Sequence, residues 1–118
     1  MAKKIFIADD EVDIMEMYAE ALRDEGHEIV GMALNGEEAV RQFAALRERP
    51  DVVLLDHRMP VKTGLEAARE ILALDPAAYI IFASADSSVE DEARAIGAAA
   101  FKKKPFSVHC LVERIGRI

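Results

Sequence analysis

Val52-Val53-Leu54-Leu55-Asp56, with the turn His57-Arg58-Met59-Pro60 behind it, is the stretch that decides how this chain folds. Four apolar residues follow one another with no polar position between them. A strand with one face in water would alternate, so this one is buried on both faces, as in a parallel sheet covered by helices. The run then stops at a carboxylate. In open α/β sheets ligands gather beyond the carboxyl ends of the strands, which makes Asp56 a candidate site residue from its position alone.

Working outward, similar short apolar runs stand at residues 5–8, 29–34, 79–83 and 98–101, with Gly31 inside the second and mostly alanine in the last. The segments between them change to helical period. Ile14, Tyr18, Ala21 and Leu22 mark one face of a first helix, opposite Glu16, Glu20 and Arg23; Val40, Phe43 and Leu46 mark a second, opening near Asn35-Gly36 and stopped by Pro50. Thr63 stands three residues before Glu66, the spacing of a capping box, and opens a third helix that ends before Pro76. A fourth is expected to start at Ser87 or Ser88, with Glu90 and Asp91 in its first turn and Gly97 near its end. The fifth takes Ser107 as N-cap and carries the stripe Val108, Leu111, Val112, Ile115, Ile118. That stripe reaches the last residue without a stop signal, so the expectation is that the natural chain continues or that the helix frays. Five strand–helix pairs predict one doubly wound parallel sheet over residues 1–118.

Composition narrows the function classes. Fifteen Lys and Arg against 22 Asp and Glu leave a net charge of −7, which argues against a basic nucleic-acid surface. At 118 residues and 52% apolar content the chain is one globular domain, able to bury roughly two thirds of its unfolded surface. A single cysteine, Cys110, permits no internal disulfide and fits a reducing compartment. The longest uncharged stretch with no acid or base is about half what a membrane helix needs. The expected location is therefore cytoplasmic, with no membrane partner.

The strand ends bring chemistry together. The first delivers Asp9 and Asp10, the third Asp56, the fourth Ser84, and the fifth Lys104 just before Pro105. In the flavodoxin-like order 2-1-3-4-5 the crevice lies between strands one and three, so Asp9, Asp10 and Asp56 flank it. Carboxylates about 4 Å apart repel by roughly 4 kcal/mol at an effective dielectric near 20. A raised pKa, a cation, or both must offset that. Hard oxygen donors with room for water favour Mg²⁺. A carboxylate beside such a cation, with a lysine opposite, suits transfer of a phosphoryl group.

These residues, together with Met59-Pro60, Gly64, Ser84-Ala85 and Lys104-Pro105-Phe106, occur in order and at family spacing. The chain resembles the receiver domain of two-component response regulators over essentially its whole length. The resemblance implies that Asp56 accepts a phosphoryl group from the phosphohistidine of a sensor histidine kinase or phosphotransfer protein. It implies Mg²⁺ bound by Asp10 and Asp56, with the backbone carbonyl of Arg58 as a further ligand and Asp9 acting through water. Ser84 and Lys104 would hold phosphoryl oxygens, Phe101 would be the aromatic switch, and the Lys104–Pro105 bond is one that is often cis in the family. A downstream effector or a missing output domain would read the helix 4, strand 5, helix 5 face. On this reading the protein is not an enzyme with an external product; it assists only its own phosphorylation and dephosphorylation. The alternative is a receiver-like interaction module that works without phosphorylation.

Other features carry the blander reading. His57 is a solvated loop residue, His27 and His109 show no partners, and Cys110 is partly exposed and inert. Lys102 and Lys103 protect a sheet edge. The glycines of Gly31-Met-Ala-Leu-Asn-Gly36 have P-loop spacing, but Glu37 and Glu38 stand where Lys-Ser/Thr is required. Arg58 and Asp86, two places after Asp56 and Ser84, carry opposite charges and are expected to pair over the site. DNA-binding family members that dimerise through the output face usually carry acids after the glycine of the fifth strand. Here Ala98-Ala99-Ala100 follow Gly97, so a monomer or weak dimer is expected.

Overall fold

The computed structural model describes residues 2–118. Five parallel strands stand in the order β2-β1-β3-β4-β5: β1 (Lys4–Ala8), β2 (Glu28–Ala33), β3 (Val52–Leu55), β4 (Ile80–Ser84) and β5 (Ala100–Lys103). The helices are α1 (Val12–Asp24), α2 (Gly36–Ala45), α3 (Gly64–Leu74), α4 (Glu90–Ala95) and α5 (Val108–Gly116). This is the flavodoxin-like, CheY-like sheet, and its switch point falls between β1 and β3.

Because β3 lies between β1 and β4, its side chains go alternately to two cores. Val53 and Leu55 join Phe6, Phe43, Ile71 and Phe82 on one face; Val52 and Leu54 join Ile5, Ile7, Tyr18, Leu22, Leu111 and Ile115 on the other. Burial on both faces is why the run has no alternation.

Several helix starts follow the local chemistry of the sequence. Asn35 accepts from the Glu38 amide at 2.8 Å, and Ser107 accepts from the Cys110 amide at 3.1 Å. Thr63 and Glu66 form the reciprocal capping box. Gly26, at φ +90, turns the chain out of α1 in the left-handed conformation that glycine adopts without strain.

One stripe and three boundaries differ from the sequence reading. The buried stripe of α1 is Met15, Tyr18, Ala19 and Leu22, one residue rotated from the Ile14 and Ala21 expectation. Neither Ser87 nor Ser88 caps α4: Asp86 caps a 3₁₀ turn (Ser87–Val89), and α4 begins only at Glu90. β5 lies two residues later than the apolar run because Gly97 and Ala98 still close the end of α4, through bonds to the Arg94 and Ala93 carbonyls. Its lysines are accommodated because β5 pairs only with β4 and its other edge is open. The helix α5 stops at Gly116 and leaves Ile118 exposed, outside the stripe.

The histidines also have partners. Buried His27 accepts the Lys3 amide on Nδ1 at 3.0 Å, and burial lowers its pKa. His109 pairs with Glu113 one turn along α5 at 2.7 Å. His57 is half-buried rather than solvated, its Nδ1 lying 3.4 Å from the Leu65 amide. Cys110 is exposed and free.

Candidate functional site

The ends of β1 and β3 are adjacent in register, Ala8 opposite Leu55, so the next residues of both strands meet at one corner. Carboxylate oxygens of Asp9, Asp10 and Asp56 all lie within 4.8 Å of one another. Asp9 and Asp56 are buried, at 2% and 6% exposure, while Asp10 opens to solvent. Asp9 Oδ1 accepts from the Glu11 amide at 2.9 Å just ahead of α1, whose own N-cap, Glu11, makes no side-chain capping bond.

The lysine at the end of β5 crosses to this corner. Lys104 Nζ donates to Asp9 Oδ2 at 2.8 Å and stands 3.8 Å from Asp56 Oδ1. Burial works against its charge, but the hydrogen bond to Asp9 and the charges of Asp56 and Asp9 outweigh that and raise its pKa. The pocket therefore places three carboxylates against one ammonium.

Asp56 carries the cost of that imbalance. Burial is the main cause that raises its pKa to about 6; Lys104 pulls it down, Asp9 pushes it back up, the His57 amide lowers it, and Asp10 raises it. Its position is fixed from three sides. The Asp56 amide donates to the Ala8 carbonyl at 3.0 Å, Oδ1 accepts from the His57 amide at 2.8 Å, and Gly64 packs against its carbonyl. A Cβ on Gly64 would stand 2.1 Å from that oxygen, which explains glycine at the start of α3. The family motif pointed to Gly64, but no periodicity indicated that it touches Asp56.

Donor chemistry and charge both fit Mg²⁺: the three side chains offer hard oxygens, and a dication would relieve the repulsion that raises the Asp56 pKa.

The β4 side of the rim is arranged differently. Ser84 is completely buried, and its Oγ accepts from the Asp86 amide at 3.1 Å. Asp86 in turn accepts from the amide and hydroxyl of Ser88, which together hold its pKa low. Arg58 does reach Asp86, at 3.8 Å, but its side chain is 76% exposed. Phe101 is half-buried and stacks on Phe82 with ring centroids 6.5 Å apart. The Lys104–Pro105 bond is cis.

One feature beside the site was not legible in the sequence. Tyr18 stacks on Phe106 at 5.8 Å, and with Ile14, Met17 and Pro105 these rings make an apolar groove against Lys104. Its members come from α1 and from the loop between β5 and α5, remote in sequence, so no local pattern signals it.

A family model for the response regulator receiver domain matches residues 5–116. The chain belongs to that family. The chemotaxis protein CheY of Thermotoga maritima is 36% identical, with 100% of this chain and 98% of that protein aligned. The transcriptional regulatory protein PdtaR of Mycobacterium tuberculosis is 40% identical over 96% of this chain, which spans only 55% of PdtaR. Among solved receivers, CheY of Borrelia burgdorferi, in a complex with CheX, beryllofluoride and Mg²⁺, superposes with a TM-score of 0.90 at 28% identity, covering 97% of this chain and 87% of that one. TrrA of Thermotoga maritima, with Mg²⁺ and beryllofluoride, gives 0.85 at 36% identity, covering 98% and 97%. The receiver fold thus extends over the described residues, and no helix among them is long and apolar enough to cross a membrane.

Proposed function

We propose that this receiver is a phosphorylation-dependent signalling switch in which Asp56 is the phosphoacceptor. The observation that carries this reading is the corner itself: a buried Asp56 carboxylate at a strand end, 3.8 Å from the Lys104 ammonium and grouped with Asp9 and Asp10. An Asp56 carboxylate oxygen attacks the phosphorus of a phosphohistidine on a sensor kinase or phosphotransfer protein. The P–N bond breaks as the O–P bond forms, and the imidazole leaves with the electron pair. Asp10, Asp56 and the Arg58 carbonyl, with Asp9 through water, would hold Mg²⁺, which when bound supplies charge neutralisation for the phosphoryl oxygens.

The chain's own residues do the rest. Lys104, already shared between Asp9 and Asp56, turns to a phosphoryl oxygen as negative charge grows there. Ser84 exchanges the Asp86 amide for a second phosphoryl oxygen, and Phe101 follows it inward against Phe82. That biases α4, β5 and α5 toward a second arrangement, which an effector protein or output domain reads. Hydrolysis by water returns the carboxylate and releases inorganic phosphate, so no external substrate is turned over. The working compartment is the cytoplasm.

The experiment is intact mass and peptide mapping after incubation with Mg²⁺ and acetyl phosphate, beside Asp56→Asn. One labile phosphoryl group on Asp56, absent from the variant, is the expected result. No modification while Mg²⁺ still binds would favour an interaction module independent of phosphorylation; no Mg²⁺ binding either would overturn the reading of the acidic corner.

A further inference from the structure

We propose that His27 is an acid-released latch at the base of the sheet: as a neutral ring it fastens the start of β2 to the start of β1, and on protonation it lets that end open. β1 carries Asp9 and Asp10 beyond its other end, so the latch lies away from the acidic corner and acts independently of it. The His27 ring is only 8% exposed, and its Nδ1 accepts the Lys3 amide at 3.0 Å. The return bond runs from the Glu28 amide to the Lys3 carbonyl at 2.9 Å, and the Leu22 carbonyl accepts the His27 amide at 3.1 Å. The backbone of the histidine is therefore fixed and its acceptor nitrogen committed.

That bond sets the protonation state. A neutral imidazole has one acceptor nitrogen, which here is Nδ1, whereas the imidazolium has two donors and no acceptor. A proton on Nδ1 would face the Lys3 N–H, so the proton and the latch exclude each other. Burial, Lys3 and the positive charge of the amino terminus hold the ring below its ordinary pKa of 6.5, against the pull of Glu25. Once this end opens, the ring stands in water and takes a proton at its ordinary value. The latch is thus fully present above pH 6.5 and is lost as pH falls below it.

The surrounding structure confines the opening to one place. β2 is an edge strand that pairs only with β1. The register between them shifts after Ile5, and below the shift two residue pairs remain, Lys4 with Glu28 and Ile5 with Ile29. Above it, Gly31 lets the buried Phe6 ring lie against the β2 backbone, since a Cβ there would stand 2.7 Å from the ring. Opening therefore stops at the shift. On its other side the start of β1 is tied to β3 without any histidine. The Lys4 amide donates to Asp51 Oδ2 at 2.8 Å, and the Asp51 amide donates to the Lys4 carbonyl at 2.7 Å. Acid then frees the start of β2 and leaves β1 on β3.

The test is NMR of the full chain from neutral pH down to about pH 5. His27 should be the Nε2–H tautomer at the upper end and titrate below 6.5. Hydrogen-exchange protection of the Lys3 and Glu28 amides, corrected for intrinsic rate, should fall by up to about tenfold for each pH unit below that value. Protection of the Lys4 and Asp51 amides should hold. His27→Asn keeps a neutral acceptor near the place of Nδ1 and should abolish the pH dependence at Lys3 and Glu28 alone. Should that variant fail to fold, the tautomer and titration of His27 in the unaltered chain decide. An Nδ1–H tautomer, titration at or above 6.5, equal loss of protection at all four amides, or a pH dependence that survives His27→Asn would each overturn the proposal.

Discussion

The corner at β1 and β3 and the rim at β4 and β5 lie on the same edge of one sheet, yet they are built to opposite ends. At the first, each buried group is held several times over. Asp9 accepts from the Glu11 amide and from Lys104, and Asp56 is fixed by the Ala8 carbonyl, the His57 amide and the Gly64 backbone. At the second, Ser84 Oγ is held by the Asp86 amide, Phe101 is half-buried, and α4 is a six-residue helix entered through a 3₁₀ turn. Contacts that are few and partly exposed are those that can be exchanged at low cost. One end keeps charge in place; the other can change.

The same substitution at the corner and in the loop between α4 and β5, on the opposite edge of the sheet, gives the largest contrast. Gly64→Ala drives a methyl to 2.1 Å from the Asp56 carbonyl and 2.7 Å from His57 Cα, so backbone must move. We expect a loss of about 3 kcal/mol or more in urea unfolding. Gly97→Ala, at φ +113 below α4, meets only Leu72 at 3.5 Å and should lose about 1–2 kcal/mol from its backbone conformation. Equal losses would mean that the corner is no more tightly specified than that loop.

The charge held at the first corner is itself a source of instability. The folded pKa of Asp56, about 6, lies above its ordinary value of 3.8, so the folded state binds the proton more tightly. Stability therefore falls as pH rises between those two values, and above them the full penalty is present. Asp56→Asn in Mg²⁺-free buffer should raise stability near neutral pH by about 1–3 kcal/mol and have little effect near pH 4. Parallel unfolding curves across that range check it; a pH-independent effect would assign the gain to something other than the charge. Ser84→Ala, at the other end, should cost only about 1 kcal/mol, since it leaves the Asp86 amide without its acceptor. It should still allow Asp56 to be phosphorylated.

The contrast between the two ends also explains what the sequence disclosed. The fold was legible because β1, β3 and β4 are buried on both faces and read as unbroken apolar runs. At the site, Asp9, Asp10, Asp56 and Ser84 follow those runs directly or one residue on, and Lys104 directly follows β5, so topology alone brings them to one edge. What stayed hidden depends on shape or on marginal structure. The β5 boundary was displaced because an edge strand tolerates lysine, and the start of α4 was misplaced because Asp86 competes with Ser87 and Ser88 as cap. The role of Gly64 under Asp56, and the apolar groove of Tyr18 and Phe106, arise between segments far apart in the chain.

The smallest effect concerns the pair that bridges the two ends, Arg58 from the β3 side and Asp86 from the β4 side. The two do not contribute alike. The Asp86 carboxylate is held mainly by Ser88, and Arg58 stands 3.8 Å away and largely in water. An exposed pair of that kind is worth at most about 1 kcal/mol, so Arg58→Ala should leave stability within about 0.5 kcal/mol. Asp86→Ala removes the cap of the 3₁₀ turn as well and should cost about 1 kcal/mol. If the pair screens the acyl phosphate from water, both variants should shorten its lifetime despite this difference in stability. Shortening by Asp86→Ala alone would trace the effect to the turn before α4 rather than to cover over Asp56, and unchanged lifetimes in both would remove the pair from the mechanism.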